Sequence, residues 1–200
     1  MKNIAVFCSG NGTNLQAIIN AVKRGFIKAN LALMVCDTPE AYALVRAKKA
    51  GIEAFLLTKQ GFKTRQDYDK EVVKKLEEKK IDLVVLAGFM RLMSPYFVDK
   101  YRNRILNIHP ALLPSFKGTQ GIKDALNYGV KVTGPTVHFV DEGLDSGPIV
   151  IQEAIKIRDD DTEETLAKRI HKKEHIIYPK AIKWFVEGRL KIEGGRVRLI

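Results

Sequence analysis

An amide and an imidazole lie two residues apart in the segment Asn107-Ile108-His109-Pro110, at the end of an apolar run. Alternate side chains of a strand share one face, so we expect Asn107 and His109 to lie side by side. An amide N–H can stabilise a developing oxyanion, and an imidazole can accept or donate a proton. The pair therefore suits acyl transfer. Two polar residues that bond only to backbone would give the same pattern.

A second candidate is the acidic loop, residues 141–148, which contains the carboxylates Asp141, Glu142 and Asp145. A carboxylate beside an imidazole favours the charged ring and raises its pKa. The spacing does not tell which of the three acids reaches His109. A solvated acidic turn is the alternative interpretation.

The first loop, residues 9–14, lies between the first apolar run and an amphipathic stretch. Gly10 and Gly12 allow backbone N–H groups to approach an anion, and a helix dipole would favour negative charge at the same point. The loop lacks the third glycine of a dinucleotide-binding loop and the lysine of a P-loop. It therefore predicts a site for a single phosphate, unless it is a plain turn in which Thr13 or Asn14 caps the helix.

The remaining histidines are weaker candidates. His171, Glu174 and His175 match the H-x-x-E-H pattern of inverted zinc proteases, but two lysines inside the pattern would place positive charge near the metal. A zinc enzyme also needs a further ligand and a suitable scaffold. We therefore expect no metal site. His138 is predicted to be an interior histidine that bonds locally.

Elements of two kinds must position these residues, because short apolar runs alternate with amphipathic stretches along the chain. In the first half, strands are expected at residues 4–8, 31–36, 54–57 and 83–87, and helices at 15–24, 38–49 and 65–80, with Gly51 as a cap. This alternation predicts a doubly wound α/β fold with a mostly parallel sheet. In such sheets, ligands bind at the carboxyl ends of the strands.

The second half has a different pattern. A strand is expected at residues 105–108 and a helix at 122–128, and two long strands at 131–140 and 149–157 would add antiparallel pairing. Asp161 and Glu164 resemble a capping box, from which a helix would run toward His175 and be interrupted at Pro179. A terminal hairpin is expected at Gly194-Gly195. We expect one domain over residues 1–200, with phosphate binding in the N-terminal half and catalysis in the C-terminal half.

Composition limits the class of protein. Of the 200 residues, 46% are hydrophobic and 28% charged, which excludes a disordered chain and a membrane bundle. No apolar run approaches the ~20 residues of a membrane span. Two cysteines, Cys8 and Cys36, cannot form a disulfide framework, and we expect a cytoplasmic protein with no membrane partner. The net charge of +11 suggests an anionic partner, which could be a nucleic acid, a membrane surface or a phosphorylated or carboxylated small molecule. A solvated, lysine-rich surface is the alternative interpretation.

Several segments resemble one family. Residues 107–116 and 141–149 resemble the signature of the folate-dependent formyltransferases. Residues 7–19, 84–91 and 174–179 are similar to the branch that acts on glycinamide ribonucleotide, and the resemblance extends over essentially the whole chain. Lys117 and Asp37 stand where the family often has proline and asparagine. Neither departure falls among the residues of the expected chemistry.

The resemblance implies transfer of the formyl group of 10-formyltetrahydrofolate to the amine of glycinamide ribonucleotide, in purine biosynthesis. It implies that Asn107 bonds the formyl oxygen and that His109, kept protonated by Asp145, donates a proton. The implied ribonucleotide contacts are Gly12, Thr13, Asn14 and Glu174. The implied folate contacts are Arg65, Met90, Arg91, Leu92, Met93, Asn107, Val140, Asp141 and Asp145. The substrates would be small molecules, and the sequence does not distinguish a monomer from a homodimer.

Other functions remain open at this point. A formyltetrahydrofolate deformylase would pass the same group to water, but would carry an N-terminal regulatory domain, whereas this core begins at residue 1. A methionyl-tRNA formyltransferase would need a further C-terminal domain after Gly194-Gly195. A basic nucleic-acid-binding module would need stacking motifs that Trp184 and the scattered aromatics do not supply, so we expect no nucleic acid partner. Leu113-Pro114 is a candidate for a cis peptide bond.

Overall fold

The computed structural model describes all residues, 1–200. The elements of the first half are β1 (Lys2–Cys8), α1 (Thr13–Lys23), β2 (Ala29–Cys36), α2 (Tyr42–Ala50), β3 (Ala54–Leu56), α3 (Arg65–Glu78), β4 (Leu83–Leu86) and α4 (Pro95–Lys100). Those of the second half are β5 (Ile105–His109), α5 (Gly121–Tyr128), β6 (Val132–Thr133), β7 (Thr136–Phe139), β8 (Ile149–Gln152), β9 (Ile155–Lys156), α6 (Glu163–Val186), β10 (Leu190–Glu193) and β11 (Arg196–Leu199). No helix has the length and apolar character needed to cross a membrane.

The main sheet has seven strands in the order β3-β2-β1-β4-β5-β7-β8. Strand β1 pairs in parallel with β2 and β4, and β2 pairs in parallel with β3, whereas β7 and β8 are antiparallel. The predicted α/β fold with a mostly parallel sheet is therefore confirmed. The strand order reverses its direction beside β1, which is where open α/β sheets bind ligands. The first loop begins at the carboxyl end of this strand.

Residues 1–106 form one compact unit. Its centre is β1, whose segment from Ile4 to Cys8 is fully buried, next to the entirely buried β4. Strands that are covered on both faces are apolar throughout, which explains why these runs do not alternate. Helix α3 begins at Arg65 because the Thr64 hydroxyl accepts the backbone N–H of Asp67.

Residues 107–200 form the second compact unit. Helix α6, 24 residues long, contributes a buried stripe made of Leu166, Ile170, Ile177, Tyr178 and Ile182. The terminal hairpin pairs β10 with β11 as predicted. The Leu113-Pro114 peptide bond is cis, which confirms the expectation for that turn.

The two long strands that were predicted in the second half are each broken. Residues 131–140 form β6 and β7, and residues 149–157 form β8 and β9, with β6 and β9 paired in a separate two-stranded sheet. The first break lies at Gly134-Pro135, where Gly134 adopts φ 151° and Pro135 has no N–H to donate to a ladder. The antiparallel addition to the main sheet is confirmed for β7 and β8 alone.

The start of α6 also differs from the expected capping box. Thr162 is the N-cap, and it exchanges hydrogen bonds with Thr165. The carboxylate of Asp161 instead accepts the backbone N–H of Arg158 and pairs with Arg169, while Glu164 pairs with Lys168. The acids that were expected to cap the helix are therefore engaged elsewhere.

Pro179 was expected to interrupt α6, but the helix runs through it. Tyr178, Ala181 and Ile182 are buried around the proline. Tertiary packing of these side chains outweighs the lost backbone hydrogen bond at one position.

Two helices of the first half differ from the prediction. Helix α2 begins at Tyr42, because residues 38–41 form a turn closed by the Ala41 N–H and the Thr38 carbonyl. Helix α4 was not predicted, since six residues are too few to show a helical period. Its signal is Ser94 followed by Pro95, a capping residue before a proline at the first helical position.

We expect Gly134→Ala to lower the free energy of unfolding by about 2–4 kcal/mol. A Cβ at this position would lie 1.9 Å from the carbonyl oxygen of Glu153, in addition to the strain of a positive φ. Gly25→Ala is the control, because Gly25 has φ 72° but open space around its Cβ, and should cost about 1 kcal/mol. Urea unfolding of both variants measures the difference, and equal losses would contradict this account of the strand break.

Candidate active site

The predicted trio of Asn107, His109 and Asp145 lies together in the second unit. Asn107 and His109 come from β5, and Asp145 comes from the acidic loop. His109 is only 3% exposed, and its Nδ1 lies 3.5 Å from Oδ2 of Asp145. Among the three acids that the sequence left open, Asp145 is therefore the one that faces the imidazole.

The other ring nitrogen of His109 has a defined partner. Nε2 lies 2.8 Å from the carbonyl oxygen of Phe116. Since a carbonyl only accepts hydrogen bonds, Nε2 carries a proton. In the neutral ring, Nδ1 is then the nitrogen that can take up a second proton, and it faces Asp145.

The expected effect of Asp145, to favour the charged ring of His109, is opposed by burial of the ring. Burial of the ring lowers the pKa of His109, and the nearby Asp145 carboxylate and the Phe116 carbonyl raise it only in part. The net pKa of His109 lies below its usual value, because desolvation of the charged form dominates. Burial therefore favours the neutral form of the ring.

Asp145 is held in place by its surroundings. Its Oδ2 accepts the backbone N–H of Gly118 at 2.9 Å, and its backbone adopts φ 47°, an uncommon conformation for a residue with a side chain. Burial raises the pKa of the Asp145 carboxyl, but contacts with His138, Gly118 and His109 outweigh that effect and lower it. Asp145 is thus an anion beside the imidazole.

The acidic loop has a close-packed backbone. Asp141 Oδ1 accepts the N–H of Gly143 at 3.1 Å and the hydroxyl of Ser146 at 2.7 Å. A Cβ at Gly147 would lie 2.0 Å from the carbonyl oxygen of Phe139. These contacts give the loop one shape, and that shape places Asp145.

His138 on β7 joins the same cluster, which the sequence analysis missed. Its Nδ1 lies 2.8 Å from the carbonyl of Phe139 and so carries a proton. Its Nε2 then accepts the Asn107 amide N–H at 3.1 Å, while Asp145 Oδ1 at 3.6 Å lies beyond hydrogen-bond distance. His138 thereby orients the amide of Asn107. Its position on the strand that leads into the acidic loop, three residues before Asp141, was the available signal.

Glu174 on α6 is 3% exposed and lies 3.0 Å from Nδ1 of His171. This hydrogen bond raises the pKa of His171. The carboxylate of Glu174 also favours the charged form of His109. No group of three His, Cys, Asp or Glu side chains is arranged to hold a metal ion.

The first loop, in the first unit, has the backbone expected of an anion site. Gly12 is the N-cap of α1 with φ 73°, and no side chain caps this helix. The alternative in which Thr13 or Asn14 acts as the cap is therefore wrong. The positive end of the helix dipole lies at Gly12 and Thr13.

The segment of residues 90–93, also in the first unit, exposes apolar side chains. Met90 is 70% and Leu92 is 56% exposed. The segment is anchored at both ends, because the Met90 N–H donates to the Ser9 hydroxyl at 3.0 Å and the Ser94 N–H donates to Asp69 at 2.7 Å. A rigid, exposed apolar segment is suited to a flat hydrophobic ligand.

Two arginines of the first unit are predicted contacts, Arg91 within this segment and Arg65 on α3. The guanidinium of Arg91 lies 4.0 Å from the ring centroid of Tyr68. Arg65 is exposed at the first residue of α3, where the helix dipole disfavours a cation. The structure therefore brings Asn107, His109 and Asp145 together with His138, and places the predicted contacts Arg65, Met90, Arg91, Leu92 and Met93 in the first unit.

Comparison with known proteins identifies the family of this arrangement. The model of the formyl transferase family matches residues 2–182. A phosphoribosylglycinamide formyltransferase from Escherichia coli (strain K12) is 43% identical over 190 residues, 95% of this chain and 90% of that protein. One from Bacillus subtilis (strain 168) is 43% identical over 183 residues, 92% of this chain and 94% of that protein.

Solved structures give the same result. The glycinamide ribonucleotide transformylase 1 from Symbiobacterium toebii superposes with a TM-score of 0.98 at 46% identity, covering 100% of this chain and 94% of that one. A formyltetrahydrofolate deformylase from Pseudomonas syringae pv. tomato str. DC3000 has a TM-score of 0.93 at 22% identity, covering 100% of this chain and 66% of that one. The second likeness shows a shared fold alone.

We expect Asp145→Asn to lower the pKa of His109 further, because the substitution removes the carboxylate that favours the charged ring. NMR titration of the His109 ring protons measures this shift. Asp159→Asn is the control, since Asp159 is fully exposed and contacts only the exposed Lys131. An unchanged pKa of His109 in Asp145→Asn would show that Asp145 is not its electrostatic partner.

Proposed function

The chain belongs to the formyl transferase family, and we propose that it transfers the formyl group of 10-formyltetrahydrofolate to the amine of N1-(5-phospho-D-ribosyl)glycinamide. The products are the N-formyl ribonucleotide and tetrahydrofolate, in purine biosynthesis. The proposal rests on the cluster formed by the buried His109 and His138 with the half-buried Asn107 and Asp145. The chain also matches phosphoribosylglycinamide formyltransferases over nearly its full length. We also propose a cytoplasmic location, which the two free cysteines support.

Asn107 is the proposed oxyanion donor. One N–H of its amide is engaged by His138 Nε2, which leaves the second N–H to donate to the formyl oxygen. Negative charge develops on this oxygen when the amine attacks the formyl carbon. A donor that is already oriented stabilises that charge without reorganisation during the reaction.

His109 is the proposed carrier of the proton. Its neutral ring can take up at Nδ1 the proton that the attacking amine loses, and Asp145 at 3.5 Å stabilises the resulting cation. The ring then returns the proton to the folate nitrogen as the bond from that nitrogen to the formyl carbon breaks. A lowered pKa of His109 suits this role, because the ring begins in the form that accepts.

The proposed ribonucleotide contacts come from each of the two units. In the first unit, the backbone at Gly12, Thr13 and Asn14 binds the phosphate, which an uncapped helix N-terminus favours. In the second unit, the carboxylate of Glu174 binds the ribonucleotide. A loop without a P-loop lysine suits a monophosphate.

The folate contacts are likewise proposed. The exposed apolar side chains of Met90 and Leu92 fit a flat pterin ring, and the cations Arg65 and Arg91 fit carboxylates. The proposed folate contacts also include Met93, the backbone at Val140 and Asp141, and the side chains of Asn107 and Asp145. 10-Formyltetrahydrofolate supplies the activated formyl group as a co-substrate. We propose that residues 1–200 act as one formyltransferase domain, with small-molecule substrates.

The proposal is tested by incubating the purified protein with both substrates and quantifying the formylated ribonucleotide. We expect turnover, and we expect Asn107→Ala to lower kcat by about 100-fold or more through loss of the oxyanion donor. His109→Ala should lower kcat by a similar factor. Asn127→Ala is the control, because Asn127 is an exposed asparagine on α5, and should retain the wild-type kcat.

Two results would contradict the proposal. Near-wild-type kcat in both Asn107→Ala and His109→Ala would remove these residues from the reaction. Release of formate at the same rate with and without the ribonucleotide would instead identify a deformylase, which passes the formyl group to water.

A further inference from the structure

We propose that Arg46 on α2 is a positioning residue for the ribonucleotide phosphate, because it holds the first loop in its binding shape. The inference rests on the proposed function, since it concerns the same phosphate site. Arg46 lies 35 positions after Asn11 in the sequence, and no motif or charge pattern in the sequence predicts that it contacts this loop.

Arg46 makes three hydrogen bonds, two to the first loop and one to α1. Its Nε donates to the backbone carbonyl of Asn11 at 2.8 Å, and its Nη2 donates to the side-chain Oδ1 of the same residue at 2.9 Å. Its Nη1 donates to Oε1 of Gln16 on α1 at 3.1 Å. A single planar guanidinium therefore joins the middle of the loop to the helix that follows it.

The start of α2 contacts the residues on both sides of Asn11. The Ala43 N–H donates to the carbonyl of Gly10 at 3.1 Å. A Cβ at Gly12 would lie 2.9 Å from Cβ of Ala43 and 3.1 Å from its Cα, so the glycine lies against this helix. Three consecutive loop residues are thus held from α2, and Arg46 provides the only side-chain hydrogen bonds among these contacts.

Arg46 is itself well placed for this task. The ring of Tyr42, one turn earlier on α2, lies 4.9 Å from its guanidinium carbon and supports one face of the group. Two of its five N–H groups make no protein hydrogen bond. The guanidinium also brings its positive charge to the loop.

A preformed loop explains why Arg46 should govern phosphate affinity. The backbone N–H groups of an anion site bind well only when they already point at the anion, because ordering a mobile loop opposes binding. Loss of the guanidinium leaves Asn11 without its two donors. The loop then samples other shapes, and affinity for the phosphate falls while the formyl-transfer cluster in the second unit is unchanged.

The test compares Arg46→Met, Arg46→Lys and Arg24→Met in the formylation assay. Arg46→Met keeps the length of the side chain without its donors, and Arg46→Lys keeps the charge but loses the planar fork. We expect both to raise the KM for the ribonucleotide about tenfold, with kcat and the KM for 10-formyltetrahydrofolate within about twofold of wild type. Arg24 is exposed at the end of α1, so Arg24→Met removes the same charge from the same unit and should change nothing.

A second readout is independent of turnover. Calorimetry with ribose 5-phosphate measures the phosphate site directly, and we expect about tenfold weaker binding in Arg46→Met and Arg46→Lys. If the wild type binds this ligand, loses affinity on Arg46→Met and yet fails to formylate the ribonucleotide, the proposed function fails and the role of Arg46 stands.

Three results would overturn the role of Arg46. A wild-type KM in Arg46→Lys would show that charge alone matters. Equal changes in kcat and in both KM values would show general damage to the protein. Unchanged affinity for ribose 5-phosphate in Arg46→Met, or no binding of it by the wild type, would separate Arg46 from any phosphate site. If Arg46→Met does not fold, Asn11→Ala removes one acceptor of the fork and should raise the same KM alone.

Discussion

A single half-buried carboxylate that faces two buried imidazoles is the constraint on which the candidate active site depends. Asp145 lies 3.5 Å from His109 and 3.6 Å from His138, and both rings are almost completely removed from solvent. Burial disfavours charge on the ring of His109, whereas the carboxylate favours it. At His109 burial is the stronger effect. The cluster thus combines a carboxylate with a ring whose neutral form is favoured by burial, which suits the proposed role of His109 as an acceptor of the amine proton.

The backbone around this cluster is arranged to keep the carboxylate in place. The Gly118 N–H donates to Asp145, which adopts a positive φ, and Gly147 allows the acidic loop to pass against the Phe139 carbonyl. His138 bonds that same carbonyl through Nδ1 and orients the amide of Asn107 through Nε2. Asn107 and His109, the proposed oxyanion donor and proton carrier, are thus linked through His138 and Asp145, although each has its own hydrogen bonds.

The sequence predicted the fold class and the main residues of the cluster because both follow from local pattern. Alternation along one strand placed Asn107 beside His109, and apolar runs located the parallel strands. It could not predict the protonation of His109, which depends on burial by distant segments, or the role of His138, whose neighbour across the sheet is set by topology. Strand breaks at Gly134 and the continuous helix through Pro179 likewise depend on tertiary packing. The substrates came from resemblance to a family, since composition and charge did not specify them.

The protonation states of His109 and His138 show most directly whether the ring of His109 can accept the proton of the attacking amine. Nitrogen-15 NMR of histidine-labelled, ligand-free protein at pH 7.5 distinguishes a neutral ring from a charged one and identifies which nitrogen carries the proton. The account predicts that His109 is neutral with its proton on Nε2 and that His138 carries a proton on Nδ1, with Nε2 accepting from Asn107. A doubly protonated His109 at this pH would contradict it, because the carboxylate of Asp145 would then outweigh burial and the ring could not accept the proton of the amine.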